Sequence, residues 1–216
     1  MQQTDNHRIY ASCLHDDAVE GIVCMGPAGT GKTFNAVKAF VKARRDKKNT
    51  RLVMMRPNVP FMDSLGLLRG GLEEKLGPWM RPLMDIFKEL GVKAEDVEKW
   101  VAEGHLEAIA VEHVQGLTFH DAMVVVDEVE NLTYFQIKMI MERMGQNSKL
   151  VMMGDVAQTS PKVRNGGLGE IVEMIKATGH PTKVIEMGKG DRMRSPYSAA
   201  TMDCDELWQA MKEEAK

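Results

Sequence analysis

Short apolar runs recur along this chain, each followed by a longer segment in which apolar residues return every three or four positions. The short runs predict buried strands, and the 3.6-residue spacing predicts helices that cover them. The runs are Gly21–Met25, Arg51–Met55, Leu106–Val111, Ala122–Val126, Lys149–Met153 and Lys183–Met187. Between them, Phe34, Val37 and Val41 keep one helical face apolar, as do Ile137, Ile140, Met141 and Met144, and then Leu168, Ile171, Val172 and Ile175. Trp79, Leu83, Ile86, Phe87 and Leu90 make another amphipathic helix, stopped at Gly91. Thr133 with Gln136 reads as a capping box, and Gly145 and Gly179 read as helix C-termini. The alternation predicts an α/β fold with a mostly parallel sheet flanked by helices on both faces.

Only the glycine-rich stretch Ser64 to Gly77 lacks a clear period, and it is expected to be a functional loop. A length of 216 residues predicts one domain, residues 1–216. Apolar residues at 44% and charged residues at 27% exclude a disordered chain. No apolar run reaches the roughly 18 residues that span a bilayer, and no signal-peptide layout opens the chain, so no membrane partner and a cytoplasmic location are expected.

Cys13, Cys24 and Cys204 are scattered and read as reduced thiols. The histidines stand singly, without metal-binding spacing. A net charge of −3 gives no overall case for nucleic acid, so local patches would have to supply one. The densest, Lys42 to Arg51, reads first as a solvated helix end and turn. The 18 methionines fall on helix faces and strands, where a flexible thioether fills core gaps.

The chemistry begins after the first strand. Gly26-Pro27-Ala28-Gly29-Thr30-Gly31-Lys32-Thr33 is a complete G-x-x-x-x-G-K-T loop leading straight into the Phe34 helix. Its glycines let backbone N–H groups turn inward, and the helix N-terminus adds its positive end, so the loop suits phosphate. Lys32 is the candidate for the β- and γ-phosphates of ATP, and the Thr33 hydroxyl for Mg²⁺. The run Met123–Val126 ends in Asp127-Glu128, placing two carboxylates at a strand tip. Asp127 is the candidate metal residue, and Glu128 the base that polarises the attacking water. The next strand ends in Gly154-Asp155-Val156-Ala157-Gln158, at the sheet edge where ligands gather, and Gln158 is a candidate γ-phosphate sensor. Together these features predict a P-loop NTPase that binds ATP and hydrolyses it.

From about Thr4 to Ser198 the chain resembles the PhoH-like ATPases, whose core is similar to that of superfamily-one helicases. The segments are GPAGTGKT, the MRP of Met55 to Pro57, LEEKLGPWMRPL from Leu72, TFHDAMVVVDEVENLT from Thr118, GDVAQ from Gly154, and DRMRSP from Asp191. The resemblance implies that Arg194 is an arginine finger or sensor, that the chain forms a homo-oligomeric ring such as a hexamer, and that turnover is linked to RNA or another single-stranded nucleic acid. His7 occupies the place of an upstream glutamine that reads adenine. Further departures are Glu130 where the family usually has glutamine, Val114 to Leu117 where it has arginines, and an end at Lys216 without an attached RNA-binding module. Two other functions share this phosphate loop: a nucleotide-gated ring that turns over slowly, and a small-molecule kinase. The kinase would need an arginine-rich lid, and none is evident in the sequence.

Overall fold

The computed structural model describes residues 3–46, 48, 50–57, 81–159, 166–193 and 195–214. Arg194, Trp79 and the stretch Ser64 to Gly77 lie outside them. In chain order the elements are α1 (Asp5–His15), β1 (Gly21–Met25), α2 (Lys32–Arg45), β2 (Arg51–Arg56), α3 (Arg81–Glu89), α4 (Ala94–Ala102), β3 (Leu106–Ala110), β4 (Ala122–Val126), α5 (Tyr134–Met141), β5 (Lys149–Gly154), α6 (Gly167–Thr178), β6 (Lys183–Glu186) and α7 (Pro196–Glu214). The strands form one sheet in the order β3-β2-β4-β5-β1-β6. Every pairing is parallel, so the α/β expectation holds and the sheet is more uniform than the sequence required.

Alternation along each strand divides the core into two layers. Ile22, Cys24, Leu52, Met54, Val125, Val151 and Met153 face α1–α4. Val23, Val53, Met55, Val124, Val126, Leu150 and Met152 face α5 and α6. On the first face, Phe40, Phe87 and Trp100 meet edge-on with ring centroids 5.4–6.5 Å apart, which anchors α3 and α4 to α2. On the second, α6 starts so close to α5 that a Cβ on Gly167 would lie 2.1 Å from the Tyr134 nitrogen. Only glycine fits that approach.

Capping follows the expected chemistry in part. The Thr133–Gln136 box opens α5, and Gly179, at φ 69°, closes α6. Gly145 is a correction: α5 ends at Met141 with Glu142 as its cap. Gly145 serves a close approach instead, since a Cβ there would lie 2.5 Å from the His120 ring while its N–H donates to Phe119 O at 2.8 Å.

The six strands among the described residues emerge with their C-terminal ends at one edge. Because β5 lies between β4 and β1, the Gly154–Gln158 turn leaves the sheet between the phosphate loop and the Asp127-Glu128 tip. At the opposite edge a hollow of about 510 Å³ contains Lys42, Lys48 and Lys149. These ammoniums pair with Asp46, with Asp17 and with the carbonyls of Cys13, Leu14 and Asp16, so their charges do not converge on a ligand.

Candidate active site

The loop between β1 and α2 curls at Gly26, Gly29 and Gly31, with φ of 145°, 80° and 75°. Each lies where L side chains are strained, and at Gly26 a Cβ would also meet Met187 O at 2.4 Å. Gly31 is the N-cap of α2, and no side chain caps that helix. Its first-turn amides and its positive end therefore face an anion-sized hollow. Lys32 Nζ folds across the loop, donating to Gly26 O at 2.5 Å and Pro27 O at 3.0 Å. The loop is also braced without it: Gly26 N–H donates to Gly154 O at 3.0 Å, and Thr30 Oγ1 donates to Pro27 O at 3.0 Å.

Beside this loop lies a cleft of about 370 Å³, lined by residues 28–34 together with Arg56, Asp127, Glu128, Glu130, Gly154, Asp155 and Gln158. Thr33 Oγ1 donates to Asp127 Oδ2 at 3.3 Å, joining the two candidate metal residues. Burial pushes the Asp127 carboxyl above its usual range, against the opposing charges of Arg56 and Lys32 and the Thr33 bond. Two hard oxygen donors fit Mg²⁺, which takes one or two protein oxygens and completes its shell with phosphates and water. Among the described residues no group of three carboxylate, imidazole or thiolate side chains is gathered for a metal.

Glu128 follows in the left-handed region at φ 55°, uncommon for a non-glycine residue and a form of strain that clusters at functional sites. The sharp turn separates the paired acids: Asp127 turns to Thr33, while Glu128 pairs with the Arg56 guanidinium. Arg56, at the tip of β2, is therefore a cleft residue. Among the described residues of the Lys42 to Arg51 segment, Arg45 donates to Leu90 O at 2.9 Å and Arg51 pairs with Glu107 at 3.0 Å, besides the lysine pairs.

Glu130 is 5% exposed, and its Oε2 accepts from Asp155 N–H at 3.1 Å. Asp155 in turn holds Gln158 Nε2 at 2.8 Å, so Glu130 links the β4 tip to the Gln158 turn. Burial pushes its carboxyl up, two backbone bonds pull it down, and Asp127 and Asp155 push it up again, leaving it raised. The folded state thus holds the Glu130 proton more tightly than the unfolded chain does. That contribution is full below a glutamate's ordinary 4.5 and is lost as pH rises through the raised value. Replacing Glu130 with glutamine keeps an oxygen for the Asp155 amide and removes the buried charge. The expected result is a melting temperature about 2–4 °C higher at pH 8, with the gap closing near pH 4. Melts of both proteins across that range check it, and an unchanged or lower value at pH 8 defeats it.

Among the residues named from sequence, Lys32, Thr33, Asp127, Glu128 and Gln158 meet in this cleft, with Ala28 to Gly31 on its wall. Gly26 and Pro27 supply the carbonyls that hold Lys32. His7 lies behind the loop, with Nε2 at 3.0 Å from Thr30 O, and does not line the cleft. The Arg194 expectation falls outside the described residues. The roles of Arg56 on Glu128 and of Glu130 on Asp155 were missed, since both are contacts between strand tips distant in sequence. Burial raises the Cys24 thiol to about 12, consistent with a reduced, unreactive core thiol.

The model of the family described as PhoH-like protein matches residues 1–205. The chain belongs to the PhoH-like family. It is 36% identical over 203 residues to the PhoH-like protein of Bacillus subtilis (strain 168), covering 93% of this chain and 62% of that one. It is 30% identical over 183 residues to Protein PhoH of Escherichia coli (strain K12), covering 84% of this chain and 51% of that protein. This PhoH-like chain therefore spans between about half and two thirds of these relatives' length. Its fold is similar to the large terminase of a thermophilic bacteriophage, with TM-score 0.57, 13% identity, and 91% and 48% of the two chains covered. A second crystal form of that terminase, in complex with ADP, gives TM-score 0.56 at 14% identity over the same 91% and 48%. These likenesses show the α/β fold. No helix among the described residues is long and apolar enough to cross a membrane.

Proposed function

We propose that residues 1–216 act as one Mg²⁺-dependent ATPase domain of PhoH type whose turnover is coupled to RNA binding or to remodelling of a bound partner. The observation that carries this reading is the convergence of Lys32, Thr33, Asp127, Glu128 and Gln158 on one cleft beside an uncapped helix N-terminus. Lys32 and the loop amides bind the phosphates, and Glu128 accepts the proton of the attacking water. Gln158, which lines the cleft and is held by Asp155, senses the γ-phosphate in this reading. Mg²⁺, held by Thr33 and Asp127, would neutralise charge on the phosphate oxygens.

The RNA half rests on family membership, and the pairing of Lys42, Arg45, Lys48 and Arg51 within the chain points to modest affinity. Turnover measured with and without Mg²⁺ and single-stranded RNA, at two salt concentrations, tests both halves. Hydrolysis that requires Mg²⁺ and rises with RNA, with RNA affinity falling steeply in salt, is the expected result. No RNA stimulation at either salt would favour the nucleotide-gated ring. One contact favours that second reading: Arg56 holds Glu128 in an ion pair. Phosphate transfer from ATP to a small acceptor would instead identify a kinase.

In the ring reading, Arg194 of one subunit completes the site of the next, where a guanidinium neutralises charge on the transferring phosphoryl group. Its neighbour Met193 donates a backbone N–H to Gly29 O of the same chain at 2.7 Å, so action within one chain is the alternative the test must separate. Mixing Arg194→Ala with Lys32→Ala chains should restore part of the turnover. A mixture as inactive as its components, despite co-assembly, would exclude action across the interface.

A further inference from the structure

The N-terminal helix reaches the phosphate loop through two side chains: Tyr10 Oη donates to Lys32 O at 3.2 Å, and His7 meets Thr30. His7 is the third residue of α1 and is 2% exposed. A carbonyl can only accept, so Nε2, 3.0 Å from Thr30 O, carries the ring proton. Nδ1 is then the acceptor, and it takes the Thr4 backbone N–H at 3.2 Å. Both ring nitrogens have partners within the protein.

Thr4 passes the connection on. Its hydroxyl donates to Asp191, whose other oxygen accepts from Asn6 Nδ2 at 2.9 Å and from Gly188 N–H at 2.7 Å. Burial works to raise the Asp191 carboxyl, yet these three bonds hold it below the usual range. Two residues later, Met193 N–H donates to Gly29 O at 2.7 Å. Adjacent carbonyls of the phosphate loop, Gly29 and Thr30, are thus held by segments remote in sequence that join at Asp191.

The consequence follows from peptide planarity. A carbonyl and the next residue's N–H lie in one rigid plane and point in opposite directions. Neither His7 nor Met193 lines the cleft, so the carbonyls they hold turn away from it. The N–H groups of Thr30 and Gly31 are thereby turned toward the cleft, where phosphate oxygens would lie.

Resting on the nucleotide reading above, we propose that His7 is a positioning residue that sets the Thr30–Gly31 peptide plane for phosphate and does not read the nucleobase. The loss on removing it therefore falls equally on every ligand that carries the phosphates. Dissociation constants for Mg²⁺ with ATP, with GTP and with inorganic tripolyphosphate, which has no base, provide the test in wild type, His7→Ala and His7→Gln. His7→Ala should weaken all three by a common factor on the order of tenfold, the worth of one well-placed hydrogen bond. Glutamine can place an amide N–H near the Nε2 position, so His7→Gln should recover most of the tripolyphosphate affinity with the ATP-to-GTP ratio unchanged.

Turnover at saturating ATP separates positioning from mere loss of folded protein. KM should rise with kcat retained, whereas a structural defect would lower kcat through the active fraction. Unchanged tripolyphosphate affinity beside a shifted ATP-to-GTP ratio would overturn the proposal in favour of base reading, and a fall in kcat alone would also overturn it. If His7→Ala does not fold, His7→Gln decides by the same two quantities: wild-type-like values support the proposal and a shifted ratio overturns it. A wild-type chain that binds neither ATP nor tripolyphosphate would instead defeat the nucleotide reading itself.

Discussion

Glu128→Gln is expected to bind Mg²⁺ and ATP within about twofold of wild type while losing turnover by roughly a hundredfold or more, the usual worth of a general base. Glutamine matches the size of glutamate and can still accept a hydrogen bond, but it cannot accept the proton of the attacking water. The nearest rival, Glu130, has one carboxylate oxygen committed to the Asp155 amide and is almost fully buried. Glu128 is partly exposed in the cleft, held by an arginine that a ligand can displace. Single-turnover hydrolysis with a separate binding measurement checks the split. Hydrolysis surviving in Glu128→Gln but lost in Glu128→Gln/Glu130→Gln would move the base to Glu130.

The strands were legible because a parallel sheet covered on both faces makes each one a continuous apolar run, and β1, β2, β4 and β5 consist of little else. The phosphate loop was legible because its constraint is local: glycines at fixed spacing between a strand and a helix. Helix α1 was missed. Its cap is a Thr4-x-x-His7 box in which histidine replaces the usual glutamate or glutamine, and its buried stripe is only His7, Tyr10 and Leu14, with Ile9 exposed. Helix α7 was missed for another reason, since Tyr197, Leu207, Trp208 and Met211 are exposed and burial does not impose a period. Gly145 misled because glycine marks both a helix end and a close approach, and sequence spacing does not separate the two.

The same distinction between local and distant constraint runs through the site. Lys32, Thr33 and Asp127 could be named because their motifs fix their own backbone. The partners that orient the site, His7 on Thr30, Arg56 on Glu128 and Glu130 on Asp155, join segments separated by 23 or more positions. Only the sheet order brings the last two pairs together, by placing the tips of β2 and β5 on either side of β4.

Lys32→Ala should leave the fold intact and remove nucleotide binding. The ammonium bridges Gly26 O and Pro27 O, so its loss exposes two carbonyls at the edge of an open cleft, where water can replace it. Five bonds independent of Lys32 keep the loop's shape: Gly26 N–H to Gly154 O, Thr30 Oγ1 to Pro27 O, Met193 N–H to Gly29 O, His7 Nε2–H to Thr30 O, and Asn35 Nδ2 to Gly31 O. The melting temperature without ligand should therefore stay within about 3 °C of wild type, the range of a mutation worth about 1 kcal/mol or less. What disappears is the positive charge that the proposed function assigns to the β- and γ-phosphates. Wild type at about a hundred times its dissociation constant for Mg²⁺ and ATP should gain roughly 2.7 kcal/mol, or about 5–11 °C for a domain of this size. Lys32→Ala at the same ligand concentration should gain almost nothing. A variant that folds and still gains the full shift would show that the phosphates lie elsewhere, whereas one that melts far below wild type without ligand would make Lys32 a structural brace of the loop.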